Sequence, residues 1–147
     1  MRSMRAIARS ALLVFAITSL VRADAHDEVM QVFAKMAAGL TGTNVPEFMS
    51  AFSKDMPDYD TLKDEVTALA KTYEISSSAT PVTEDAGKQT YKIDLDWVLD
   101  IRSLEQDGPL VRRREIVHCE LRKEKNHWKI VSLKPLKFFA SATLSDK

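Results

Sequence analysis

The eleven residues from Tyr91 to Ile101 constrain this chain more than any other stretch. Tyr91, Ile93, Leu95, Trp97, Leu99 and Ile101 are apolar, and Lys92, Asp94, Asp96 and Asp100 alternate with them. Successive side chains of a strand point to opposite faces, so this alternation predicts a strand with one buried and one wet face. Only Val98 breaks the pattern. A strand of that length needs partner strands and a layer over its apolar side.

The partners follow it. Gln106 to Pro109, with Asp107-Gly108, predicts a turn, and a second strand runs from about Leu110 to Arg122 with Val117, Cys119 and Leu121 on the apolar parity. Lys123 to His127 predicts a polar turn, followed by a strand from about Trp128 to Leu136 and then Phe138 and Phe139. Facing charges and matching apolar faces argue for a register. Leu121 is expected opposite Trp128, which sets Glu115 opposite Lys134 and Ile116 opposite Leu133. Trp97 is expected opposite Val117, with Asp100 facing Arg114, at the expense of setting Asp94 against Glu120. Upstream, Glu74 to Thr80 fits an edge strand ending at Pro81, and Glu84 to Lys88 a turn into the long strand.

The covering layer precedes the strands. Val29, Phe33, Met36 and Leu40 recur at four-three-four spacing, which predicts a helix from about His26 to Leu40 ended by Gly39, Gly42 and Thr43. Asn44 with Glu47 forms an asparagine version of the capping box, with Pro46 in the first turn and Phe48 and Phe52 as the buried face. Pro57 stops that helix. A third begins near Asp58 or Asp60 and carries Leu62, Val66, Leu69 and Tyr73.

Ahead of all this, Arg2, Arg5 and Arg9 lead into an uncharged apolar run from Ala11 to Leu20 and the small residues Ala23 and Ala25. That is the layout of a cleaved secretory signal over residues 1–25, with cleavage after Ala25, or alternatively after Ala23. The run falls short of the roughly 20 residues that a membrane-spanning helix needs. No stable anchor is expected after cleavage, and the address is periplasmic or extracellular. The segment holds four of the 21 basic residues and one of the 21 acidic ones, so the mature chain carries 17 positive against 20 negative charges. Such a balance gives no footing to nucleic-acid binding, which needs clustered Lys and Arg. Cys119 is the single cysteine, on the apolar parity, and is expected as a buried thiol. Residues 26–140 are expected to form one domain and 141–147 a polar tail.

Three helices followed by long antiparallel strands, the Trp97-centred strand and the closing Trp128-Lys129-Ile130-Val131 resemble the nuclear transport factor 2-like superfamily, which includes the SnoaL-like cyclases, ketosteroid isomerases and scytalone dehydratases. The resemblance implies an α+β, cystatin-like fold: a cone-shaped, curved antiparallel sheet packed on about three N-terminal helices. It also implies a pocket inside the cone and dimers through the outer sheet face. The short strands that many members place between the early helices are not evident.

On that geometry Tyr91, Trp97, Leu99, Val117, Cys119 and Ile130 line or fill the cone. Arg113 and Glu115 would form its polar end, as anion clamp and base, or Glu115 and Lys134 would make a salt bridge at the rim. The three strand aspartates face away from the cone and should meet Arg112, Arg114 and Arg122. Val98, Ile116, Val131 and Leu133 are apolar on the outer face and mark a homodimer interface. No metal is expected, since His118, His127 and Asp96 lack ligand spacing, and no cofactor. The favoured reading is an exported, non-catalytic binding domain for a small apolar ligand or a protein partner. The alternative is a small-molecule isomerase, cyclase or dehydratase with Glu115 as general base.

Overall fold

The computed structural model describes residues 24–105 and 108–141. Residues 1–23 of the expected signal segment, residues 142–147 of the polar tail and residues 106–107 of the turn lie outside the described residues, whereas residues 24 and 25 open the first helix. Helix α1 covers 24–41, and Val29, Phe33, Met36 and Leu40 form its buried face as the spacing requires. It ends through backbone donation from Gly42, Thr43 and Asn44 to Ala38, Leu40 and Gly39, with Thr43 taking the left-handed conformation at φ 52°. Gly39 is needed where it stands. A Cβ there would lie 2.8 Å from the Phe48 backbone nitrogen, so α1 and the next helix approach each other backbone to backbone.

Helix α2, Val45–Met49, is capped as expected: Asn44 accepts from the Glu47 N–H at 3.2 Å and donates to its carboxylate at 3.3 Å. It ends at Met49, well before Pro57, so Phe52 is not on the helix and bridges to Ile130 instead. Helix α3 spans Tyr59–Thr72 and buries Leu62, Val66 and Leu69. Tyr73, expected on that helix, is already extended and opens strand β1.

Strands β1 (Tyr73–Ala86), β2 (Thr90–Ser103), β3 (Val111–Glu124) and β4 (His127–Lys134) form one antiparallel sheet in sequence order. Strand β1 runs well past Pro81, where an end was expected. As an edge strand it tolerates the missing N–H, and a bulge between Pro81 and Thr83 absorbs the irregularity and restores pairing as far as Ala86. The β3–β4 turn is the two residues Lys125 and Asn126, both at positive φ, the hairpin geometry that matches strand twist.

Both expected registers are corrected. Trp97 faces Glu115 and Leu95 faces Val117, a slip of two residues that keeps every side chain on its predicted face. Asp94 then meets His118 and Lys92 meets Glu120, so the carboxylate clash of the expected register disappears. Between β3 and β4, Leu121 faces Ile130 but Glu120 faces Ser132, leaving Val131 as an extra, bulged residue. An extra residue inverts the facing of everything beyond it. Leu133 is therefore turned inward, 4% exposed, where an outward side chain was expected.

The curved sheet wraps the helices, and the described core is one cluster drawn from α1, α2, α3, all four strands and a closing 3-10 turn, Leu136–Phe139. The outer edge of β4 is covered too. Residues 51–53 form a short parallel bridge against it, with Ser53 N–H donating to Ile130 O and Ile130 N–H to Ala51 O, each at 2.9 Å.

Candidate functional site

Inside the cone, six of the expected lining residues are packed. Tyr91, Trp97, Leu99, Val117, Cys119 and Ile130 are all no more than 4% exposed. Trp97 sits at the centre, edge to face with Phe33 (centroids 6.1 Å) and with Phe139 (5.0 Å). Phe139 in turn meets Phe48 and Phe138, and Phe48 meets Phe52. The indole N–H donates to Ser77 Oγ at 2.8 Å, so burying the ring leaves no polar atom unpaired. Burial pushes the Cys119 thiol well above its ordinary range, assisted by the negative charge of Asp94. A thiol held protonated is a poor nucleophile.

The charged end of the cone is arranged differently from expectation. Arg113 is half-buried, and its guanidinium donates to the Phe138 and Ala140 carbonyls at 3.2 and 2.5 Å. It braces the C-terminal turn that carries Phe139 instead of standing open as an anion clamp. Glu115 is exposed and lies beyond His118, the last β3 residue paired by β4, while Lys134 faces that histidine. The expected Glu115–Lys134 bridge is therefore not formed. Among the described residues the only buried polar side chain is Ser53, whose hydroxyl donates to Glu124 at 2.8 Å.

The outer sheet face carries an ordered row of ion pairs. Arg112 grips Asp100 with two hydrogen bonds (2.8 and 3.0 Å), and Arg114 grips Asp96 with two more (3.0 and 2.6 Å). Asp94 lies 2.6 Å from His118 Nδ1 and accepts the Thr83 hydroxyl at 2.8 Å. These hydrogen bonds, chiefly from Arg114 and Arg112, hold Asp96 and Asp100 below the usual carboxylate range; His118 and then Thr83 do the same for Asp94. Two of the expected arginine partners are thus correct. Arg122 instead pairs with Glu124 within its own strand. Among these pairs sit Val98, half-buried, and Ile116, 42% exposed. Val131 is half-buried at the bulge.

Two further clusters were not readable in advance. His26 Nδ1 lies 2.7 Å from Glu84 Oε1, which also accepts the Tyr91 hydroxyl at 2.8 Å. Burial, and then the Glu84 carboxylate, push the Tyr91 phenol well above its ordinary range. Trp128 Nε1 donates to Glu28 at 2.9 Å, with the Lys123 ammonium 5.5 Å from the indole centroid. Each joins the start of α1 to a strand distant in sequence, so only the fold brings the partners together. Two rim clefts of about 410 and 420 Å³ adjoin these regions, one between Glu28, Lys35 and Trp128, the other between Ser53, Tyr59 and Glu124.

The arrangement matches solved structures across most of its length. A candidate scytalone dehydratase from Novosphingobium aromaticivorans superposes with a TM-score of 0.68 at 13% identity, covering 80% of this chain and 85% of that one. The chain has the nuclear transport factor 2-like, cystatin-like fold. A nuclear transport factor 2-like protein of unknown function from Shewanella oneidensis gives 0.60 at 9% identity, with coverage of 74% and 95%. A hexachlorocyclohexane dehydrochlorinase gives 0.64 at 12% identity, with coverage of 78% and 86%. No family model and no curated protein matches the sequence. At these identities the likeness of this chain to its neighbours is one of fold alone. Among its described residues no helix is long and apolar enough to cross a membrane.

Proposed function

We propose that this chain is an exported, non-catalytic binding domain that works through its surface, and first of all by pairing with a second copy across the outer sheet face. One observation carries the reading: the centre of the cone is filled by Trp97, Phe33, Phe48 and Phe139, and among the described residues no carboxylate or imidazole is buried with them. General acid–base chemistry in a cone needs a titratable group within reach of the substrate. Glu115, the base of the alternative reading, is exposed and lies outside that core. A small apolar ligand would have to displace well-packed aromatic rings, so a protein surface is the better-supported occupant of a binding site.

The outer face supports self-association by its layout. Val98 and Ile116 supply an apolar centre, with acidic residues on β2 and basic ones on β3 around it. A two-fold axis along the strands between β2 and β3 sets the acidic row of one copy against the basic row of the other. A self-complementary patch is what a two-fold interface requires. Leu133, buried in the core, has no part in it. The test is Val98→Lys with Ile116→Lys, followed by sedimentation and circular dichroism. A folded monomer in place of a dimer is the expected outcome; an unchanged dimer mass in the variant, or a monomeric parent, contradicts the reading.

A further inference from the structure

His26 has no role in the surface described above, nor in the core: its ring is 42% exposed, at the start of α1, with Nδ1 against Glu84. The surrounding sequence is Ala23-Asp24-Ala25-His26, which contains both cleavage points of the expected signal segment. Each would create a new α-amino group at a spacing from His26 that suits metal chelation. Cleavage after Ala25 makes His26 the first residue, so its amine and Nδ1 can close a chelate ring on one ion. Cleavage after Ala23 makes it the third. The amine of Asp24, the backbone nitrogens of Ala25 and His26, and Nδ1 can then complete a square plane.

We propose that removal of the leader turns His26 into the anchor of an amino-terminal Cu(II) site. The inference rests on the export reading. Square-planar nitrogen donors select Cu(II) or Ni(II), and Cu(II) heads the affinity order of the divalent first-row metals. Side chains alone do not build the site: among the described residues no group of three or more His, Cys, Asp or Glu is placed to hold a metal. The processed amine supplies the missing donor.

The local structure suits both forms. In the form beginning at His26, Glu84 provides a third donor. Two donors at about 2.0 Å from a metal and at right angles lie about 2.8 Å apart, and His26 Nδ1 and Glu84 Oε1 are 2.7 Å apart. In the form beginning at Asp24, residues 24–26 are the first helical turn, whose N–H groups have no acceptor within the helix. Deprotonating them breaks no ladder bond. Cu(II) enters, the protons of the ammonium and of the two amides pass to solvent, and no electron is transferred. Affinity therefore falls with falling pH.

The test separates processing from chemistry. The intact mass of the exported protein gives its first residue. Independently, chains made to begin at Asp24, at His26 and at Met1 are titrated with Cu(II) alone, followed by d–d absorption and electron paramagnetic resonance. The two short chains should each bind one equivalent at least about a hundredfold more tightly than the Met1 chain, and His26→Ala should abolish the difference while leaving the circular dichroism spectrum intact. Glu84→Gln should weaken the His26-initiated chain about tenfold and leave the Asp24-initiated chain unchanged. Binding no tighter than that of the Met1 chain, or binding that survives His26→Ala, overturns the site. Tight binding by the short chains combined with an exported protein that begins elsewhere overturns the site in the natural protein while export stands. A natural protein that keeps Met1 and is not exported overturns the export reading and the site together.

Discussion

Trp97 shows how a single residue decides what this fold can do. Its ring is fully buried, its two aromatic neighbours meet it edge to face, and Ser77 takes its N–H. Trp97→Ala should cost about 3–5 kcal/mol, read as a lower urea midpoint. A loss under about 1 kcal/mol would mean that the cone is looser than described. Gly39 makes a second residue-scale case. Alanine normally favours a helix over glycine by about 1 kcal/mol, yet a methyl group here would press on the Phe48 backbone at 2.8 Å. Gly39→Ala should lower the melting temperature, and a rise would show that α2 yields without cost. The alternation that placed Trp97 inside was plain in the sequence. The requirement at Gly39 was not, because it depends on two helices meeting.

At the scale of elements, the first and third helices and the strand faces followed from periodicity, whereas the early end of α2 at Met49, the registers and the irregularities did not. Parity is local and survives a slip of two residues, so the β2–β3 register could be wrong while every predicted facing stayed right. A bulge leaves no periodic trace, and that is why Leu133 was expected on the wrong side. The three aspartates of β2 carry a pH prediction. Their folded pKa values lie below the unfolded value of about 3.9, so the unfolded chain binds more protons in the window between. The stability they contribute is full above about pH 4 and is lost as the pH falls through the lowered values. Urea midpoints should therefore drop below pH 4, and Asp96→Asn with Asp100→Asn should make the drop shallower. An equally steep decline in that double variant would show that these exposed pairs contribute nothing, as many surface pairs do.

For the whole molecule, the order of elements was enough to indicate the fold, since three amphipathic helices and a meander of long strands leave few ways to bury their apolar faces. The state of the cone was beyond the sequence. The same alternation describes side chains lining a cavity and side chains filling one, and the choice rests on Phe139, carried in by a turn that Arg113 braces. With the cone filled, the proposed function lies at the surface, where the outer face of β2 and β3 sets acidic residues beside basic ones around Val98 and Ile116. Native mass spectrometry of the natural protein tests this proposal most directly, because it reports processing, assembly and retained ligand together. The expected result is a dimer mass made of two processed chains, with no organic molecule bound. A monomer carrying a small apolar ligand would contradict it.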